Sequence, residues 1–450
     1  MEEHRLLLRD IEIPDIEGLE VYTRRGGYGG ATRAVREMDA GQVIDAVAAA
    51  GLRDRGGDWS PVATRWRQAA DSGDAVRYLC VNAAETEPGL FRDRKLAERL
   101  PHRLLEGIII AARALGASVA YICQREDLRR AWESLERALS EAYDAGWLGR
   151  DIGGSGWDLD VFLHPNGGAF IASEETALLA ALEGRRAEPR APDGSPPPHR
   201  LWGHPAAVHD AGTLGYLPSI LSDGGEAFRQ AGTEEYPGTC VFCVSGHVRR
   251  PGLYELSLGG GTMRDLVEGC AGGVRQGHRL KAVLPGGYVA PPLGPDQLDA
   301  PLTPAAWAVP AGGDFPGAFV NGGVIVMDDT TCMVDAAIHL MRYFASQSCG
   351  KCPPCAEGGA WLLEILQRLE AGEGSPGDVD LILRLARQVS PPLQRGASTA
   401  LCGFGAAFAW ALQGLVSAFR DEFDAHIESG GCPVEKDDAI TVPESVNIRF

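Results

Sequence analysis

Three cysteines stand at C-x2-C-x2-C spacing in SQSCGKCPPCAEGG: Cys349, Cys352 and Cys355. Such a run lets three thiolates converge on one face of an iron–sulfur cubane without distorting a helix or strand. A fourth ligand is required, and Cys402 in TALCGFG is the best candidate, at a glycine-flanked turn leading into the last helix. Pro353 and Pro354 stiffen the loop, and its glycines let backbone N–H groups approach sulfur, which helps set a reduction potential. Four thiolates also suit tetrahedral zinc. Zinc sites usually pair two C-x2-C knuckles, whereas a triple run with one remote cysteine is typical of clusters, so the spacing favours a four-iron, four-sulfur (4Fe-4S) cluster.

The other cysteines read differently. Cys240 and Cys243 in TCVFCVSG also make a C-x2-C, but that run reads as a strand, where residues three apart face opposite ways. Cys80, Cys123, Cys270 and Cys332 lie in apolar surroundings and read as core, and Cys432 as a tail residue, with no chemistry assigned. Eleven cysteines in all cannot pair completely, and no export signal is read in the first thirty residues, so a disulfide framework is not expected.

A second group of residues suits a polar cofactor. The loop GLRDRGGDWSP combines Arg53 and Arg55 with Gly56 and Gly57, a composition able to offer donors and positive charge to a phosphate. The runs YLCVNAAETEPGLFRDR and GAFIASEETALLAALEGRR place carboxylates beside small residues after an apolar run, where a strand end presents acceptors. Taken singly, each is better read as a solvated loop.

These groups need elements to hold them. From Arg36 to about Arg185, helical stretches alternate with short apolar runs, which implies a parallel sheet with helices on its faces. A linker rich in proline follows, and this first domain, Rossmann-like α/β, is expected to span residues 1–236. Short strand signals broken by glycines, with one helical stretch MRDLVEGC, predict a small α+β module over 238–325. Helical periodicity at Val334, Ile338, Met341 and Phe344, and again at Leu362, Ile365 and Leu369, predicts a helical bundle over 326–430, with 431–450 as a tail.

The bulk numbers narrow the function. A chain of 450 residues divides into several domains, and its net charge of −19 repels nucleic acids and anionic membranes. The most hydrophobic stretch, Leu104 to Cys123, contains Glu106 and Arg113. Each would cost about 2.5 to 3.5 kcal/mol at mid-bilayer, so a buried helix is expected and no membrane insertion.

In order along the chain, GGYGGATRAV, VNAAETEPGLFRDR, SEETALLAALEG, VSGHVRRPGLYE, VLPGG, GGVIVMDD, CGKCPPC and LCGFG resemble the NADH-oxidising flavoprotein subunit of respiratory complex I and its relatives in NAD-linked hydrogenases and formate dehydrogenases. The resemblance covers nearly the whole chain. It implies an α/β domain for FMN and NADH, a ubiquitin-like β-grasp module of the soluble-ligand-binding type, and a helical bundle holding the cluster. It implies cofactor contacts at Arg55, Gly56, Gly57, Arg65, Asn82, Glu85, Glu87, Phe170, Glu174 and Glu175, with other iron–sulfur subunits as partners and a cytoplasmic setting.

The chain departs from that family's cofactor site while keeping its cluster motif. Where the family's phosphate loop reads GRGGAGFPTGLKW, this chain has Asp54, Asp58 and Trp59 at glycine or alanine positions, Ser60 at the aromatic position that stacks nicotinamide, and Arg65 at the lysine. Ala84 replaces an aspartate, Ser173 a glycine, Phe170 a tyrosine, and His209-Asp210 an asparagine pair. Trp59 is expected to fill space that a flavin needs, and the new carboxylates to repel a phosphate. Two functions follow: an oxidoreductase subunit passing electrons from NADH through FMN to the cluster and a partner, or a non-catalytic relay or docking subunit that keeps only the cluster. His209-Asp210 could also form an acid/base pair, though a core histidine is the simpler reading.

Overall fold

The computed structural model describes residues 3–434, apart from 58, 191–198, 305, 307–320 and 392–397. Asp58 and most of the expected tail therefore lie outside the described residues.

Five strands form the first sheet: β1 (Tyr78–Asn82), β2 (Val119–Arg125), β3 (Asp160–Asn166), β4 (His199–Leu201) and β5 (His204–Asp210). Their order is β3-β2-β1-β5-β4, with β1, β2, β3 and β5 parallel and β4 antiparallel to β5. The runs YLCVN and HPAAVHD are apolar almost throughout because helices cover both faces of a parallel sheet. The chain leaves β1 toward β2 on one side, while β5 joins β1 on the other, so the strand order reverses between β1 and β5. In open α/β sheets, ligands bind in the crevice beyond the carboxyl ends at such a point.

Helix Pro101–Leu115 is buried along nearly its whole length, as its hydrophobicity demands. Its one buried acid, Glu106, is satisfied by the Tyr22 hydroxyl and by the backbone N–H groups of Tyr28 and Ala31. Among the described residues no helix is long and apolar enough to cross a membrane.

The second sheet runs β7-β6-β9-β8, from β6 (Thr239–Gly246), β7 (Gly252–Ser257), β8 (Leu280–Leu284) and β9 (Gly323–Asp328). Its β6–β9 pair is parallel and the others antiparallel, and Asp265–Cys270 forms a short, wide-turned helix beside it. Glu255 on β7 accepts the N–H groups of Leu6, Leu7 and Leu8, so the start of the chain docks on this sheet.

Helices Met333–Gln347, Pro353–Glu370, Asp378–Val389, Gly403–Ala418 and Arg420–Ser429 pack around Phe344, Leu362, Leu366, Ile382, Phe408, Leu412 and Phe423. Cys402 leads into helix Gly403–Ala418, which is not the last of the described helices: the chain turns at Phe419 into one more, Arg420–Ser429.

Candidate functional site

Beyond the carboxyl ends of β1 and β5, where Asn82 pairs with Asp210, a cavity of ≈ 280 Å³ opens. Its walls come from all three parts of the chain: Gly56, Asn82, Glu85 and Glu174 from the first sheet region, Asn321 beside the second sheet, and Phe404 from the bundle. The size lies near the lower end for ligand pockets, about 300 Å³.

Most of the acids in its wall are backbone caps. Glu85, at a left-handed φ of 42°, accepts from the N–H groups of Asp93 and Arg94 and so caps helix Arg92–Arg99. Glu174 accepts from Ala177 N and Thr176 Oγ1, capping helix Glu175–Leu182. Burial, with Asp93 close by, pushes Glu85 up to about 7. Burial likewise lifts Glu87 well above the ordinary carboxylate range, although the Asn321 amide donates to it.

The loop end of the cavity holds a network of buried charge. Asp210 caps the short helix Ala211–Gly215 through the N–H of Thr213, and its other oxygen accepts from Arg92 at 2.7 Å. Arg92 is held again by Asp93, at 2.7 and 3.0 Å. Burial raises Asp210 and the nearby Asp93 and Asp54 add to it; Arg92 opposes them, and the result is about 6. Behind it, Asp54 accepts from Gly56 N at 2.8 Å and lies 3.2 Å from His209 Nδ1. Burial would raise Asp54, but His209, Arg65 and the Gly56 N–H together hold it below its ordinary value. The Trp66 indole N–H donates to His209 Nε2 at 3.0 Å, so Nδ1 carries the proton and donates to Asp54. His209 is thus a buried core histidine.

Trp59 requires a correction. Its ring does not enter the cavity. At φ 54° the backbone turns it away, into the core of the second sheet beside Cys240, Phe242 and Leu256, under the Arg55 guanidinium.

Gly56, Asn82, Glu85, Glu87, Phe170 and Glu174 gather at this cavity. Gly57 lies next to it in the loop, and Arg55 does not reach it: its guanidinium donates to the carbonyls of Arg53, Pro237 and Thr239. Arg65 and Glu175 pair at 2.6 Å, facing a neighbouring cavity of ≈ 430 Å³ with Ser60, His199 and Val208. Sequence reasoning missed Arg92, Asp93, Asn321 and Phe404 as wall residues. Arg92, Asp93 and Phe404 stood inside quoted motifs, whereas Asn321, like Val289 and Ala407 in the same wall, lay outside them.

The four cysteines singled out in the sequence, Cys349, Cys352, Cys355 and Cys402, come together at the near end of the bundle. Cys352 precedes helix Pro353–Glu370, Cys355 lies in its first turn, and Cys402 precedes helix Gly403–Ala418. Two helix N-termini therefore point at the sulfurs, which favours a negatively charged group there. Burial pushes Cys355 up to about 12 and Cys402 to about 11, so loading a metal there releases protons. Arg186 donates to the Cys349 carbonyl and Lys351 to the Pro189 carbonyl, tying this loop to the first sheet region.

Residues 47–218 match the model of the Nuo51 FMN-binding domain, 241–292 that of the SLBB domain, and 335–426 that of the NADH-ubiquinone oxidoreductase-F iron-sulfur binding region. The chain is 39% identical to the second F-type subunit of the NADH-quinone oxidoreductase of Rhizobium meliloti (strain 1021), over 95% of this chain and 99% of the relative. It belongs to the family of NADH-quinone oxidoreductase F-type subunits. The Escherichia coli (strain K12) member is 37% identical over 91% of this chain and 90% of its own. Among solved structures, NAD+-reducing [NiFe]-hydrogenase in the H2-reduced state superposes with a TM-score of 0.79 at 30% identity, covering 96% of this chain and 67% of that one.

The donor set meets the family's cofactors unequally. The four cysteines fit a 4Fe-4S cluster. The cavity, with amide, carboxyl and aromatic groups in its wall, fits the ring and sugar-like chain of FMN. At the loop end of the cavity Arg92 is already matched by Asp93 and Asp210, so a phosphate seated there would meet a charge cost.

Proposed function

We propose that this chain is the electron-entry subunit of an oxidoreductase complex, taking electrons from NADH through FMN to a 4Fe-4S cluster and on to a partner iron–sulfur subunit. When bound, FMN converts the two-electron donor into one-electron transfers that the cluster carries onward. The observation that carries the reading is the start of helix Gly403–Ala418: Cys402 precedes it, and Phe404, its second residue, lines the cavity. One short segment therefore serves both sites.

In this reading residues 1–236 form the cofactor domain, 238–325 the β-grasp module and 326–430 the cluster bundle. Gly56 and Gly57 let a ligand approach the loop backbone, Asn82 and Glu174 orient its polar edges, and Glu87 with Asn321 closes the far wall. Phe170 packs edge-on against Tyr343 and Phe344 and at a tilt against Phe404, excluding water between cavity and cluster. Arg65 and Glu175 shape the neighbouring cavity, where the donor nucleotide would extend.

An anaerobic NADH titration of the purified, cluster-loaded chain with added FMN tests this. Bleaching of the flavin at stoichiometric NADH, followed by loss of cluster absorbance, is expected. No bleaching, with a cluster that dithionite still reduces, would overturn it in favour of a relay role in which another protein supplies the electrons.

A further inference from the structure

At the end of the bundle formed by the first residues of Met333–Gln347 and the last of Pro353–Glu370, four potential metal ligands meet. Cys332 caps the first of these helices, Glu370 ends the second, His426 lies in the last turn of Arg420–Ser429, and Cys432 follows it. One ligand atom from each lies within 4.8 Å of every other. Cys332 Sγ is 3.3 Å from His426 Nε2 and 3.9 Å from Glu370 Oε2, and those two are 3.4 Å apart. Tetrahedral zinc, bonded at about 2.3 Å to sulfur and 2.0 to 2.1 Å to nitrogen and oxygen, gives edges of about 3.5 Å from sulfur and about 3.3 Å between nitrogen and oxygen. The separations already match those edges closely.

The surroundings position two of the ligands. His426 Nδ1 lies 2.7 Å from the Glu422 carbonyl, which can only accept, so Nδ1 holds the proton and Nε2 turns a lone pair inward. The Asp335 N–H donates to Cys332 Sγ at 3.3 Å. Cys332 and His426 are buried. Close backbone approach brings the two ends together: at Gly372, φ 79°, a side chain would come within 2.2 Å of the Gly430 carbonyl oxygen.

We propose that Cys332, Glu370, His426 and Cys432 bind a structural zinc ion, a second metal centre separate from the cysteine loop. Four protein ligands leave no open position, and two thiolates with an imidazole and a carboxylate suit zinc. The ion fastens the last helix and the segment after it onto the first two helices of the bundle. Glu370 and His426 lie within residues 335–426, the stretch matching the iron–sulfur region, while Cys332 and Cys432 fall just outside it, so the site straddles the edges of that region.

The test is metal analysis of the full chain, expressed with added zinc and iron and purified anaerobically, as wild type and as Cys432→Ser, His426→Ala and Cys402→Ser. The wild type should hold about one zinc per chain, falling about tenfold in Cys432→Ser and His426→Ala with iron unchanged. Cys402→Ser should lose iron and keep zinc. Zinc K-edge absorption on the wild type should show two sulfur and two nitrogen or oxygen neighbours, a readout independent of whether His426→Ala folds. Absence of zinc from the wild type, zinc retained in Cys432→Ser, a different shell, or a Cys332–Cys432 disulfide in the anaerobic protein would overturn the proposal.

Discussion

Replacing Asp210 by asparagine should tighten FMN binding selectively at its phosphate. The carboxylate lies over Gly56, where an added Cβ would come within 2.8 Å of Asp210 Cβ and 3.2 Å of Oδ2. A phosphate seated on the loop backbone would thus stand about 4 Å from this charge, a repulsion of about 4 kcal/mol between unit charges near a protein surface. Arg92, 2.7 Å from Asp210, cancels much of it. A residue of about 1 to 2 kcal/mol corresponds to roughly 5- to 30-fold in affinity. Asparagine keeps an oxygen for the Thr213 N–H, and Arg92 keeps Asp93, so the cap and the cation survive. Riboflavin, which lacks the phosphate, is the control in a fluorescence titration of flavin-free protein. Asp210 titrates at about 6, so the wild type loses this charge as pH falls through 6, and its preference for FMN over riboflavin should rise. The variant should begin with the higher preference and vary less with pH. An FMN to riboflavin ratio unchanged by the substitution at pH 8 would refute the reasoning.

Three other outcomes follow from the same structure. Cys402→Ser should abolish the cluster's absorbance and cut its iron content while FMN still binds; an intact cluster in that variant would refute Cys402 as the fourth ligand. Glu85, buried and raised to about 7, binds its proton more tightly folded than unfolded, so the folded state loses stability as pH rises from about 4.5 to about 7. The loss is at most roughly 3 kcal/mol, and Glu85→Gln should flatten it in denaturant titrations at several pH values. Trp59→Ala should destabilise the chain by about 3 kcal/mol through the lost core of the second sheet, with riboflavin affinity unchanged; weaker or stronger riboflavin binding would place the ring at the cavity after all.

What the residues disclosed in advance was whatever depends on short-range spacing. Cys349, Cys352 and Cys355 are three apart, and the helical rows at Val334, Ile338, Met341 and Phe344 all came out buried. The strand reading of TCVFCVSG held because apolar runs of that length, with a glycine at the end, have few other uses. Trp59 failed for a conformational reason. Side-chain direction at a left-handed residue is not set by its neighbours in sequence, and there the ring left by the opposite side of the loop. The cluster of Cys332, Glu370, His426 and Cys432 stayed hidden because its ligands are spread over a hundred residues, and each alone resembles an ordinary core, cap or tail position.

The substitutions at the loop form a matched set. An unpaired buried charge costs several kcal/mol, yet Asp54 is buried with His209 on one side and the Gly56 N–H on the other. His209 in turn receives the Trp66 indole N–H. Asp54→Gly alone would strand the His209 N–H, and His209→Asn alone would leave Asp54 without its main partner, at about 1 to 3 kcal/mol or more each. Asp54→Gly with His209→Asn removes both partners and restores residue types the family uses at these positions. The double variant should therefore be more stable than the sum of the singles predicts by about 1 to 3 kcal/mol, measured by denaturant unfolding followed at tryptophan fluorescence. Additivity within about 0.5 kcal/mol would mean that the two residues do not support each other, and that the acidic loop is a set of independent changes rather than a rebuilt site.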